Sequence, residues 1–149
     1  MEIDDRSWKL LSILQTQGRV SMTELAGHVA LSVPATSDRV RRLEDAGVIA
    51  GYRALVAPEQ VGYGLMALIG ITTPQADKAR LLDVLRAAPE VLECHHVTGQ
   101  DSFILKVIAR DVRHLEAFIA AINPFGETRT SIVLSTPIES RSLQPPPVN

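Results

Sequence analysis

The sequence predicts an α+β chain in two parts: three short helices closed by a β ribbon, then a βαββαβ run. Three observations carry this. Over the first 50 residues apolar side chains recur at helical spacing between capping residues. After Gly47 the pattern becomes short, β-leaning and broken by Gly51, Pro58, Gly62 and Gly64. From Leu65 onward, buried-strand runs alternate with amphipathic helices.

In order, "DDRSWKLLSILQTQG" places Trp8, Leu11 and Leu14 at steps of three with Leu10 beside them. Asp4 or Asp5 caps its start and Gly18 ends it. In "SMTELAGHVALS", Ser21 or Thr23 caps a short helix, Glu24 favours its positive end, and Leu25, Ala26 and Val29 form its apolar side. The third helix runs from Ser32 to about Ala46 and stops at Gly47. "VIAGYRALVAPEQVGYG" reads as a hairpin or ribbon followed by a linker.

"LMALIGITT" then reads as a strand and "QADKARLLDVLRAAPE" as a helix with Ala79, Leu82 and Leu85 or Arg86 on one side. "VLECHHVTG" and "SFILKVIA" follow as strands. "DVRHLEAFIAAINPFG" is a helix capped by Asp111 with Leu115, Phe118, Ile119 and Ile122 on one face, and "TRTSIVLSTPI" is the last strand. The order predicts a ferredoxin-like sandwich. The expected domains are 1–54, a winged helix-turn-helix, and 65–140, the sandwich. A linker at 55–64 joins them, and a flexible, proline-rich tail fills 141–149.

Of the 149 residues, 46% are hydrophobic and 4% aromatic, so the cores are expected to be aliphatic. The formal net charge of −2 supplies no overall basic field to attract nucleic acid, so any such binding depends on local segregation of charge. Cys94 is the one cysteine, which excludes an internal disulfide and a multi-cysteine zinc site and predicts a small buried thiol in a reducing compartment. The N-terminal stretch lacks the apolar core of a secretory signal, and no run approaches the ~20 apolar residues of a membrane span. A cytoplasmic protein that spans no membrane is expected.

The second and third helices are separated only by "ALS", which suits a helix-turn-helix covering about residues 23–42. Ser32 is a good N-cap and Pro34 fits the first turn without displacing an internal hydrogen bond. With Val33, Thr36, Val40 and Leu43 turned inward, Pro34, Ala35, Asp38, Arg41, Arg42 and Asp45 face outward, flanked by Ser37 and Arg39. Small residues near the helix start permit close approach to base edges. Arginine grips guanine in a fork or holds a phosphate, and Asp38 accepts from cytosine or orients an arginine. Tyr52 and Arg53 could lie along the backbone as a wing. The candidate DNA-binding residues are therefore Ser32, Pro34, Ala35, Ser37, Asp38, Arg39, Arg41, Arg42 and Arg53, the four arginines serving phosphates. The same stretch also fits a solvated helix with internal charge pairs such as Asp38 with Arg42.

These patterns, with "IDDRSWKLLSILQTQGRVSMTELA", "LSVPATSDRVRRLEDAGVIAGYRALVAPEQVGYG", "VLECHHVTGQDSFILKV" and "TSIVLSTPIESR", resemble the Lrp/AsnC family of transcription regulators over about residues 2–140. The resemblance implies a winged helix-turn-helix reading double-stranded DNA and a ferredoxin-like effector and oligomerisation domain. Such proteins form homodimers that often build octamers, and many respond to amino acids. It further implies an effector pocket between neighbouring subunits, using Thr98, Gly99, Gln100, Asp101 and Ser102 with Thr130 and Ser131. The common loop places its acid immediately before an aromatic. Here Ser102 precedes Phe103 and the acid sits one place earlier, at Asp101. That shift leaves the effector's identity open. By its residues alone the loop reads as a β-turn.

His95 and His96 are adjacent in a strand, so they face opposite ways and do not chelate one metal together. His28 and His114 lie at no ligand spacing. No nucleophile elbow, P-loop or dinucleotide fingerprint is present, and no catalytic residue, metal or cofactor is expected. The rival readings are a sirohaem decarboxylase-like enzyme, which shares the architecture, and a ligand-sensing oligomer that ignores DNA.

Overall fold

In the computed structural model, residues 3–147 are described. They fold into two compact units, one built from the chain up to Leu55 together with the segment after Pro137, the other from Val56–Pro137.

The first unit holds α1 (Asp5–Thr16), α2 (Met22–Val29) and α3 (Val33–Asp45). Each start is capped by its preceding side chain. Asp4 accepts from the Ser7 amide at 2.8 Å. Ser21 and Glu24 form a reciprocal capping box, the Glu24 amide donating to Ser21 Oγ at 3.2 Å and the Ser21 amide to Glu24 Oε2 at 3.0 Å. Ser32 accepts from the Ala35 amide at 3.3 Å, and Pro34 stands in the first turn. The α2–α3 turn needs a left-handed residue, and Ala30 supplies it with φ 52°. Leu10, Leu25, Val29 and Val40 form the core, with Ile13, Leu14, Val20, Met22, Leu31 and Ile49 packed around them. In α1 the buried residues are Ser7, Leu10 and Leu11, so of the Trp8–Leu11–Leu14 line only Leu11 is fully buried. Trp8, Leu11 and Leu14 also line a groove with Val48–Tyr52.

The predicted ribbon is not present within the chain. No strand forms among the described residues between α3 and Leu65. Residues 51–57 run without regular structure, Leu55 and Val56 are 84% and 64% exposed, and a 3-10 turn follows at Pro58–Val61. A ladder needs an opposing strand, and the glycines and Pro58 leave no second run to supply one.

The second unit is a four-stranded antiparallel sheet in the order β2-β3-β1-β4. The elements are β1 (Leu65–Thr72), α4 (Lys78–Ala87), β2 (Val91–His96), β3 (Phe103–Ala109), α5 (Val112–Ile122) and β4 (Glu127–Ile132), the predicted βαββαβ. The register sets Ala67, Ile69 and Ile71 beside Val107, Leu105 and Phe103. These side chains pack under Leu81 and Leu85 of α4 and Leu115, Phe118 and Ile122 of α5. The buried face of α4 is thus shifted from the expected line: Leu81, not Ala79, shares it with Leu85. β4 ends at Ile132, sooner than the apolar "VL" suggests, and Leu134 is 95% exposed. Cys94 is exposed, contrary to expectation, on the edge strand β2, whose residues after Val91 are all exposed. No helix among the described residues is long and apolar enough to cross a membrane.

Candidate DNA-reading helix and effector loop

On α3, Thr36, Val40 and Leu43 are buried. The Thr36 hydroxyl donates to the Ser32 carbonyl at 3.0 Å, which satisfies a polar group at zero exposure. Pro34, Ala35, Arg41, Arg42 and Asp45 are exposed, and Ser37, Asp38 and Arg39 are half-buried on the flank. Val33, expected inward, is 39% exposed and lies outside the core cluster.

The charges on this face fall into two sets. Asp38 bridges Arg41 at 3.0 Å and Arg42 at 2.7 Å, all on the same helix, and both arginine side chains are more than 70% exposed. Arg39 points elsewhere. Its Nη1 donates to both carboxylate oxygens of Asp4 at 2.7 Å and to Ser7 Oγ at 2.9 Å, tying α3 to the N-cap of α1. The Ser7 hydrogen bonds and then Arg39 hold the Asp4 carboxyl down at about 2. Arg39, expected among the phosphate-binding arginines, is therefore already engaged. Beyond α3, the Tyr52 hydroxyl donates to Glu44 Oε1 at 2.8 Å, and partial burial with that acidic neighbour pushes its pKa up to about 12. Arg53 is exposed next to it.

In the second unit, Thr98, Gly99 and Gln100 are exposed, while Asp101 and Ser102 are drawn against the sheet. Gly99 has φ 104°, the left-handed conformation the turn requires. Ser102 fastens the loop to the end of β1. Its amide donates to the Ile71 carbonyl at 2.8 Å, and its hydroxyl accepts from the Thr73 amide at 3.0 Å and donates to the Thr73 carbonyl at 3.2 Å. Asp101 forms an ion pair with Arg129 of β4, and a Cβ on Gly70 would lie 2.6 Å from its Oδ1. The carboxylate therefore rests on the bare backbone of Gly70, on the sheet face away from the helices.

Thr130 and Ser131 do not share a face. Thr130 pairs with buried Ile69 and lies on the helix side, whereas Ser131, opposite Leu68, lies on the side of Asp101 and Arg129. Sequence reasoning missed Arg129, which neutralises the loop's acid, and Thr73, whose hydroxyl is buried with no partner among the described residues. The available signal is Gly70, a glycine inside an apolar strand, which marks a close approach. His95 and His96 do point apart: His95 meets Glu93 at 2.9 Å and His96 packs on Phe103. His114 is a joint in the fold, its Nδ1 accepting from the Arg110 amide and its Nε2 meeting Glu90 at 2.9 Å. The described residues hold no cluster of three or more metal-ligating side chains.

Two family models match the chain. Residues 3–50 match a winged helix-turn-helix DNA-binding model and residues 66–143 an Lrp/AsnC ligand-binding domain. The HTH-type transcriptional regulator YezC of Bacillus subtilis is 38% identical over 90% of this chain and 95% of its own. LrpA of Mycobacterium tuberculosis is 38% identical over 90% and 91%. Among solved structures, a transcriptional regulator of Neisseria meningitidis in complex with L-methionine superposes with a TM-score of 0.89 at 32% identity, covering 95% of this chain and 96% of that one. With both units matched in order and most of the chain aligned, the protein belongs to the Lrp/AsnC family of DNA-binding transcription regulators.

Proposed function

We propose that this regulator reads its operator with α3 presented in pairs by a homo-oligomer, and that a small molecule of the amino-acid class modulates it at the 98–102 loop. The observation that carries the DNA reading is the exposed face of α3, where Arg41 and Arg42 form their ion pairs with Asp38 of the same helix. Exposed intrahelical pairs are weak, and the arginines can exchange Asp38 for phosphate at little cost. Ser32, Pro34, Ala35 and Ser37 form the narrow leading end that approaches base edges, with Arg53 beside it on the backbone. One subunit offers one such helix, so a dimer spans half-sites about 10 base pairs apart.

The effector reading draws support from the L-methionine complex of the Neisseria relative and from the loop's composition. Asp101 and Arg129 together offer one anionic and one cationic group, the complement of a zwitterion, and the unpartnered Thr73 hydroxyl lies beside Ser102. Thr98, Gly99, Gln100 and Ser131 complete the candidate site on that face.

A gel shift against the DNA upstream of the protein's own gene, with and without a panel of amino acids beginning with L-methionine, tests both halves. Retention at low salt that an amino acid alters is expected. Oligomerisation without DNA retention would sink the reading. A Soret band on mixing with a tetrapyrrole would favour the decarboxylase-like alternative.

A further inference from the structure

The groove on the first unit is lined by Trp8, Leu11 and Leu14 of α1 and by Val48–Tyr52 after α3, and it encloses about 250 Å³. Its remaining lining comes from the far end of the chain. Leu143, 73% exposed, lines part of it, and the side-chain amide of Gln15 grips both backbone groups of that residue. The Leu143 amide donates to Gln15 Oε1 at 2.7 Å, and Gln15 Nε2 donates to the Leu143 carbonyl at 3.2 Å. A primary amide that serves one residue's N–H and C=O together reads extended backbone, as a neighbouring strand would. The path of the chain agrees: it leaves the second unit at Pro137 and rejoins the first at Ile138.

We propose that the C-terminal segment is an intramolecular strap whose docking site is this groove and whose latch is Leu143. Two features fit that occupant. The groove is apolar and carries two aromatic rings, Trp8 and Tyr52, the lining suited to an extended apolar segment. The segment itself continues into Pro145–Pro147, whose fixed φ keeps it extended and lowers the entropy lost on docking. Docked, the strap gives the DNA-binding unit a second, non-covalent link to the chain that follows β4, the strand that carries Arg129, alongside the covalent path through residues 55–56. It also seats on the stretch that leaves α3, where Tyr52 holds Glu44.

Trp8 is the chain's only tryptophan, so its fluorescence reports on the groove directly. The full-length protein is compared with Gln15→Ala, Leu143→Ser and a chain ending at Pro137, with circular dichroism and thermal melting run alongside. Gln15 and Leu143 are exposed, so the two point variants keep the fold. The expected result is a red shift of Trp8 emission and stronger iodide quenching in all three, with unchanged circular dichroism in the point variants. Identical emission and quenching in both point variants would overturn the strap, whatever the truncated chain does. A Trp8 signal in the wild-type protein that shifts red on dilution would place a second copy's tail in the groove and overturn the intramolecular form.

Discussion

Asp38 and Asp101 both face arginine, and the two pairings behave differently because of what lies beneath them. Asp38 stands on an exposed helix, and its partners Arg41 and Arg42 extend into solvent from the same turn and the next. Asp101 lies on the backbone of Gly70, is 22% exposed, and meets Arg129 from another strand. The first cluster is a set of charges that can be lent to a ligand. The second is built into the sheet and fixes a loop. The exposed pairs on α3 leave their arginines open to exchange partners, whereas the pair on the sheet holds the 98–102 loop in one place.

The largest expected effect comes from breaking the seated pair. Gly70→Ala puts a methyl carbon where the Asp101 carboxylate rests, and the carboxylate is held there by Arg129 and by a loop fastened through Ser102. Overpacking at such a site costs about 1–3 kcal/mol, read as a lower urea midpoint at unchanged slope. Any amino-acid effect on DNA binding should vanish with it. A variant as stable as the wild type, with its effector response intact, would show that the loop is free to move and that the two clusters do not differ in this way.

Next is the lent pair. Arg42→Ala should weaken binding to operator DNA and reduce the slope of log affinity against log salt by about 0.9 for each phosphate left without its arginine. Its effect on stability should stay within about 0.5 kcal/mol, as for other exposed positions. Arg39→Ala provides the contrast. It removes the tie to Asp4 and Ser7, so the urea midpoint should fall while the salt slope stays put. If Arg39→Ala flattens the salt dependence as Arg42→Ala does, the division of α3 into tied and lendable arginines fails.

Much of this was legible in the sequence, for physical reasons that differ by element. The caps at Ser21 and Ser32, and the Thr36–Val40–Leu43 stripe, are local rules and appear where the pattern puts them. The βαββαβ order is carried by period changes that any packing must respect. The ribbon after α3 failed because a strand needs a partner that local sequence does not name. Arg39 and Asp4 are 35 residues apart, Asp101 and Arg129 are 28 apart, and Gln15 and Leu143 are 128 apart. Such pairs are set by tertiary geometry. Of the three, only the Asp101 seat had a herald, the glycine inside β1. Thr130 and Ser131 fall on opposite faces of the sheet by strand alternation, a rule the sequence does contain.

The smallest effect is also the most direct test of the tie between α1 and α3. Asp4 has a pKa of about 2 in the folded chain against an ordinary 3.8, lowered first by Ser7 and then by Arg39. A depressed carboxyl stabilises the fold wherever it is ionised in both states, that is, above 3.8, and the contribution disappears as pH falls from 3.8 through about 2. Asp4→Asn keeps an N-cap acceptor for the Ser7 amide but carries no proton to titrate. The wild-type urea midpoint should therefore drop more steeply across that acid window than the midpoint of Asp4→Asn, while the two change in parallel at higher pH. Arg39→Ala should lie between them, since it removes one of the causes and leaves Ser7 in place. Parallel acid limbs for all three proteins would mean that Asp4 is held no better folded than unfolded, and Arg39 would then return to the arginines available for phosphate.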